Sequence, residues 1–214
     1  MEQKTSCIII GAAPHTTLRF LENDLIARSM IIAADGGYLT AMREKIPIDF
    51  FVGDMDSAKT RPMDQEIPCM ILPCEKDFSD VHTAVEYALS QGIREFYLVG
   101  CSGGRVDHYL ANIALLERIC CAGRDAILLD TQNAVRFLSP GTYSLPKNPK
   151  YQYLSLLALD EKVTGVTFSG LKYPLENAVL KRAMPIGISN EWTSNEAKIS
   201  IAQGRALLIF SGDE

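Results

Sequence analysis

Three apolar runs in the first quarter of the chain stop in the same manner. Cys7-Ile8-Ile9-Ile10 ends at Gly11, Met30-Ile31-Ile32-Ala33-Ala34 ends at Asp35-Gly36-Gly37, and Asp49-Phe50-Phe51-Val52 ends at Gly53-Asp54-Met55-Asp56-Ser57. Short continuous runs rich in β-branched and aromatic residues, bounded by turn residues, read as buried strands. Between and after them come helical patterns. Residues 38–44 read as a helix that Pro47 breaks. Val81, Ala84, Val85, Ala88 and Leu89 recur at three- and four-residue steps until Gly92, the strand-like Glu95-Phe96-Tyr97-Leu98-Val99 follows, and Val106, Tyr109, Leu110, Ile113, Leu116 and Cys120 form a second stripe ended by Gly123. This alternation predicts an α/β domain with a mostly parallel sheet.

The alternation stops after residues 126–129 and 134–138, and Ser139-Pro140-Gly141 marks a boundary. Beyond it, residues 151–159, 163–168, 178–182, 197–202 and 206–209 are short strand-like runs split by Gly, Pro, Asn and Asp. The reading is therefore an α/β domain over residues 1–139, then a small antiparallel β-sandwich over residues 140–214. Residues 60–74 read only as a surface connection.

In open α/β sheets ligands bind beyond the carboxyl ends of strands, where Asp35, Asp54 and Asp56 stand. Two carboxylates one residue apart on a turn supply hard oxygen ligands suited to Mg²⁺. By itself Gly-Asp-x-Asp-Ser is also a common turn sequence. Asp77 and Asp80 bracket a helix start, which suits capping and metal binding alike. A second anchor is the strand-to-helix loop Gly100-Cys101-Ser102-Gly103-Gly104-Arg105-Val106-Asp107-His108. Glycines there let backbone N–H groups approach an anion, the helix N-terminus favours negative charge, and Arg105 adds a forked donor. A phosphate is the expected ligand. The loop Gly11-Ala12-Ala13-Pro14 also lies on the ligand side but lacks the glycines of a dinucleotide fingerprint.

Composition narrows the class of ligand. The net charge is −5 and no run of Lys or Arg occurs, which argues against a broad nucleic-acid footprint, so a phosphorylated ligand should be small. No apolar stretch approaches the length of a membrane span, and a cytoplasmic protein with no membrane partner is expected. The six cysteines form no C-x-x-C pair and the three histidines lack zinc-finger spacing, so buried reduced thiols are expected rather than zinc.

Taken in order, Ala34-Asp35-Gly36-Gly37, Gly53-Asp54-Met55-Asp56-Ser57, Lys76-Asp77-Phe78-Ser79-Asp80, Gly103-Gly104-Arg105-Val106-Asp107-His108 with Ala111-Asn112, Gly170-Leu171-Lys172-Tyr173-Pro174-Leu175 and Gly187-Ile188-Ser189-Asn190-Glu191 resemble the thiamine pyrophosphokinase family. The resemblance implies a homodimer that transfers pyrophosphate from ATP to the hydroxyethyl oxygen of thiamine, giving thiamine diphosphate and AMP. It implies that Asp35, Asp54, Asp56 and Asp80 hold Mg²⁺ beside the triphosphate. Gly36, Asp77, Gly103, Gly104, Arg105, Asp107 and His108 would handle the nucleotide, with Asp54, Asp56, Asp80 and Arg105 carrying the catalysis. Ser189 and Asn190 would help form the thiamine pocket across the dimer. Trp192 follows that segment, where it could stack on thiamine or pack the dimer; both readings stay open.

Charge balance supports such an assignment. ATP carries about four negative charges, and four carboxylates beside it would repel it by kcal/mol amounts at ~4–6 Å, so cations are required. The accepting alcohol has a high pKa and gains from a carboxylate that takes its proton, for which Asp80 is the candidate. Three rivals remain open at this level: a pyrophosphokinase for another small alcohol such as a pterin, a glycosyltransferase using Asp-x-Asp, and a non-catalytic nucleotide-binding sensor. Release of AMP only in the presence of thiamine separates them.

Overall fold

The structure, a computed structural model, describes residues 4–53, 67–72 and 77–213. Asp54 and Asp56 lie outside the described residues. Contacts divide the chain into Met1–Thr131 and Gln132–Glu214.

The first unit contains β1 (Ser6–Ile10), α1 (Asn23–Arg28), β2 (Ser29–Ala34), α2 (Gly37–Arg43), β3 (Phe50–Gly53), β4 (Cys69–Ile71), α3 (Asp80–Ser90), β5 (Glu95–Val99), α4 (Val106–Cys121) and β6 (Asp125–Leu129). Its strands lie in the order β4-β3-β2-β1-β5-β6, and every pairing is parallel. The central strand β1 is buried along its whole length, as an uninterrupted apolar run flanked by helices requires. Ile8, Ile10, Ile31 and Val99 pack with Leu18, Leu21, Ala41 and Ile46. Helix α3 packs on β1, β2 and β3, with Tyr87 stacked on Phe50 at 3.9 Å between ring centroids. Each fully buried isoleucine contributes roughly 1.5–3 kcal/mol, so β1 is a firm platform for the loops at its end.

The strand order matters for function. From β1 the chain builds outward through β2, β3 and β4 on one side, and β5 with β6 lies on the other. The reversal between β1 and β5 opens a crevice at their carboxyl ends, the place where open α/β sheets bind ligands.

The second unit contains β7 (Asn133–Leu138), β8 (Gly141–Pro146), β9 (Tyr153–Ala158), β10 (Lys162–Ser169), β11 (Leu175–Lys181), β12 (Glu196–Ile201) and β13 (Ala206–Ser211). Strands β7, β13 and β9 pair antiparallel, as do β11, β10, β12 and β8 in that order. Leu154, Leu156, Ala206 and Leu208 from one sheet and Val163, Phe168, Ile199 and Leu180 from the other form one core, so the unit is a β-sandwich. Strand β12 shows why: Ala197, Ile199 and Ile201 are buried while Glu196 and Lys198 face out.

The division differs from the sequence reading, which places it after Ser139. Asn133–Leu138 pairs along its full length with Ala206–Ser211, so this strand belongs to the sandwich despite preceding the Pro-Gly pair.

Candidate active site

At the crevice, the ends of β1 and β5 run against each other. Gly11 N–H donates to Val99 O at 2.8 Å and Ala13 N–H to Gly100 O at 2.9 Å, so the loop after β1 lies along the glycine loop after β5. The backbone between β2 and α2 passes just as close: a Cβ at Gly37 would stand 1.9 Å from Ile10 O, which leaves glycine alone able to fit. That approach brings Asp35 to the same place. Asp35 adopts φ 48°, the left-handed region that non-glycine residues rarely occupy, and its N–H donates to Val52 O at 2.8 Å. A strained carboxylate-bearing residue at a strand end is a frequent mark of function.

Helix α3 adds the second carboxylate. Ser79 is its N-cap, with Oγ accepting from His82 N–H at 3.2 Å, so Asp80 occupies the first helical position instead of serving as the cap. Asp77 is exposed and does not line the cavity, so the paired acids at this helix start part company.

Helix α4 is tied to the glycine loop by a polar residue on its buried face. Asn112, 8% exposed, donates through Nδ2 to Cys101 O at 2.9 Å. Ser102 Oγ donates to Asp130 Oδ2 at 2.7 Å, which fixes the loop to the end of β6. At the helix start Arg105 donates through Nε and Nη2 to the two oxygens of Asp107, and Asp107 Oδ1 also accepts from His108 N–H at 2.9 Å. The Arg105 guanidinium beside it holds the Asp107 carboxyl down to about 2. Burial pushes the Cys101 thiol up to about 12, so this cavity-lining cysteine is no nucleophile.

These pieces enclose a cavity of about 390 Å³, within the range of small-molecule sites. Of the residues the sequence reading singles out, Asp35, Asp80, Gly103, Gly104, Arg105 and His108 line it. Gly36, Asp77 and Asp107 do not line it, and Asp107 reaches the cavity only through Arg105 and His108. Further lining residues come from stretches the sequence reading quotes without giving them a role. Ala12, Ala13 and Pro14, from the loop after β1 that the sequence reading puts on the ligand side, form one wall, and Asn112 lines the cavity from α4.

The arrangement is bipolar. The N-termini of α3 and α4 both open on the cavity, which favours an anion, while Asp35 and Asp80 favour a cation. A polyphosphate with a divalent metal satisfies both. Two hard carboxylate donors fit Mg²⁺, although among the described residues no three His, Cys, Asp or Glu side chains converge as a complete ligand set.

In the second unit, Ser189 is exposed at φ 53° and Asn190 is 3% exposed. Trp192, 8% exposed, packs in the sandwich core with its ring 5.8 Å from that of Phe210.

Comparison with known proteins adds independent findings. Residues 22–127 match the family model "Thiamin pyrophosphokinase, catalytic domain", and residues 142–206 match "Thiamin pyrophosphokinase, vitamin B1 binding domain". The chain is similar to the thiamine pyrophosphokinase of Bacillus subtilis, with 30% identity over 96% of this chain and 98% of that protein. Its fold is similar to the crystal structure of thiamine pyrophosphokinase from Bacillus subtilis, with a TM-score of 0.88 and 26% identity over 99% of this chain and 100% of that one. It is likewise similar to thiamin pyrophosphokinase from Geobacillus thermodenitrificans, with a TM-score of 0.86 and 29% identity over 98% of both chains.

Proposed function

The chain belongs to the thiamine pyrophosphokinase family, an ATP-dependent diphosphokinase of thiamine, and we propose that its cavity at the β1–β5 crevice is where the triphosphate is bound and cleaved. The observation that carries this is the convergence of Asp35, Asp80, Arg105 and two helix N-termini on one space.

In this reading the glycine-loop amides, the α4 N-terminus and Arg105 hold phosphate oxygens. Asp107 keeps the Arg105 fork oriented toward them. Asp35 and Asp80, with Asp54 and Asp56 that follow Gly53 in the sequence, are the residues that would hold Mg²⁺. The metal would supply charge neutralisation and polarise phosphoryl oxygens. The hydroxyethyl oxygen of thiamine forms a bond to the β-phosphorus of ATP as the bond from that phosphorus to the α,β-bridging oxygen breaks. AMP leaves with that oxygen, and Asp80 accepts the proton of the alcohol. Arg105 and the helix N-termini stabilise the charge that gathers on the phosphoryl oxygens.

Thiamine binding falls to the second unit, through exposed Ser189 and its neighbours. A homodimer is part of the reading: Val179, Met184, Ile186 and Ile188 are exposed apolar side chains on the β11 side of the sandwich, a surface suited to a second copy. A cytoplasmic setting with small-molecule partners and no nucleic acid completes it, consistent with a net charge of −5.

The test is incubation of the purified chain with ATP, Mg²⁺ and thiamine. AMP and thiamine diphosphate should form in equal amounts, and AMP should not form when thiamine is left out. AMP release independent of thiamine would overturn the reading.

A further inference from the structure

The segment that carries Ser189 is organised around one buried amide. Asn190 N–H donates to Leu154 O at 2.9 Å, and Leu154 N–H donates to Asn190 O at 2.8 Å, which joins it to β9. Its side chain turns to the opposite sheet. Oδ1 accepts from Tyr173 N–H at 2.9 Å and from Glu191 N–H at 3.0 Å, and Nδ2 donates to Tyr173 O at 2.8 Å. One residue thus ties β9 to the loop that follows β10 in the four-stranded sheet.

The surroundings reinforce this tie without replacing it. Lys172 N–H donates to Glu191 O at 2.9 Å, and the Lys172 ammonium meets the Glu191 carboxylate at 2.7 Å, an exposed pair of small energetic weight. Ser189 N–H donates to Ser155 Oγ at 2.9 Å, and Ser189 holds its left-handed φ of 53° next to the amide. Exposed Tyr173 and exposed Ser189 therefore stand on either side of a common strut. Both lone pairs of Asn190 Oδ1 are taken, and at 3% exposure the amide has no open side for a ligand.

We infer that Asn190 is a positioning residue for thiamine: it fixes Tyr173 and Ser189 relative to each other and does not itself touch the substrate. This rests on the thiamine-binding reading of the second unit. The same amide bonds could not be made by any side chain lacking an acceptor and a donor on one planar group. An Asp at this position keeps the two acceptor bonds but sets a carboxylate oxygen against Tyr173 O, and protonation restores the donor.

The experiment compares wild type, Asn190→Ala and Asn190→Asp. In Asn190→Ala, KM for thiamine should rise about tenfold, the effect of leaving buried backbone groups unpaired, while KM for ATP stays within twofold. In Asn190→Asp the thiamine KM relative to wild type should fall as pH is lowered from 8 toward 5, with no such trend in Asn190→Ala. Amide hydrogen exchange should show faster exchange at Tyr173 and Glu191 in Asn190→Ala, and unchanged protection in β1 and α4, whether or not activity is measurable. An unchanged thiamine KM, an equal rise in both KM values, or unchanged exchange at Tyr173 would overturn the inference. A wild-type chain that makes no AMP with thiamine defeats the thiamine reading instead, and the exchange experiment still decides the strut.

Discussion

Gly11 and Gly100 face each other so closely that neither can carry a side chain. A Cβ on Gly11 would stand 2.5 Å from Gly100 O, and a Cβ on Gly100 would stand 2.6 Å from Gly11 O. This mutual approach joins the β1 loop to the glycine loop, and Ala12, Ala13, Gly100 and Cys101 of these two loops line the cavity. Gly100 also sits at φ 62°, so an alanine there meets backbone strain as well as the clash. Gly100→Ala should destabilise the chain by roughly 2–4 kcal/mol. Gly11→Ala, which meets the clash alone, should cost less. Urea unfolding of the two variants measures both values, and equal stability to wild type would mean the loops are not packed as described.

Asn112 holds the other side of that loop through its bond to Cys101 O. Asn112→Leu leaves the carbonyl without this donor and should cost roughly 1–3 kcal/mol. Because the loop supplies the proposed phosphate contacts, KM for ATP should rise while KM for thiamine changes little. Steady-state kinetics at varied ATP and fixed thiamine reads the split.

The Arg105–Asp107 fork carries a pH signature. Arg105 lowers the Asp107 pKa from 3.8 to about 2, so in the folded chain this carboxyl stays ionised in acid where an unfolded one begins to protonate. A depressed folded pKa stabilises above the unfolded value; that contribution is fully present above about pH 4 and is lost as pH falls toward about 2. Both side chains are well exposed, so the effect on stability is small. The pKa itself is the better readout. Carboxyl-carbon NMR should give an Asp107 midpoint near 2 in wild type, shifted up toward the ordinary Asp value of about 3.9 in Arg105→Gln.

Asp80→Asn tests the carboxylates. Ser79 supplies the cap of α3, so the ligand-free melting temperature should stay within about 2 °C of wild type. AMP formation should fall on the order of a hundredfold. Asp54→Asn should behave the same way. A large melting drop with full turnover in either variant would assign that residue to structure and not to the reaction.

Much of the fold was readable in the chain itself because its signals are local. Strand β1 is four apolar residues in a row after Ser6, α4 is an apolar stripe ended by Gly123, and the glycine loop lies between a strand pattern and a helical one. Helix α1 and strands β4 and β8 gave no such signal. Helix α1 has no buried residue, β4 is three residues at the sheet edge, and β8 places one buried residue, Leu145, among exposed ones. Edge elements bury too little to demand a hydrophobic pattern.

Residue type and order by themselves pointed to a class of ligand, with carboxylates after strands and glycines and Arg105 before a helix, and showed a switch to short strands after residue 138, while six motifs in order carried the family resemblance. Periodicity along a chain reports which face of an element is buried, and turn residues report where it stops. Folding in three dimensions decided the rest, namely that β1 and β5 abut to make the crevice, that Asp80 and not Asp77 faces it, that Trp192 lies in a core, and that Asn190 spans two sheets. Each of these depends on contacts between residues distant in sequence, where strand order and packing choose one partner among many that composition permits.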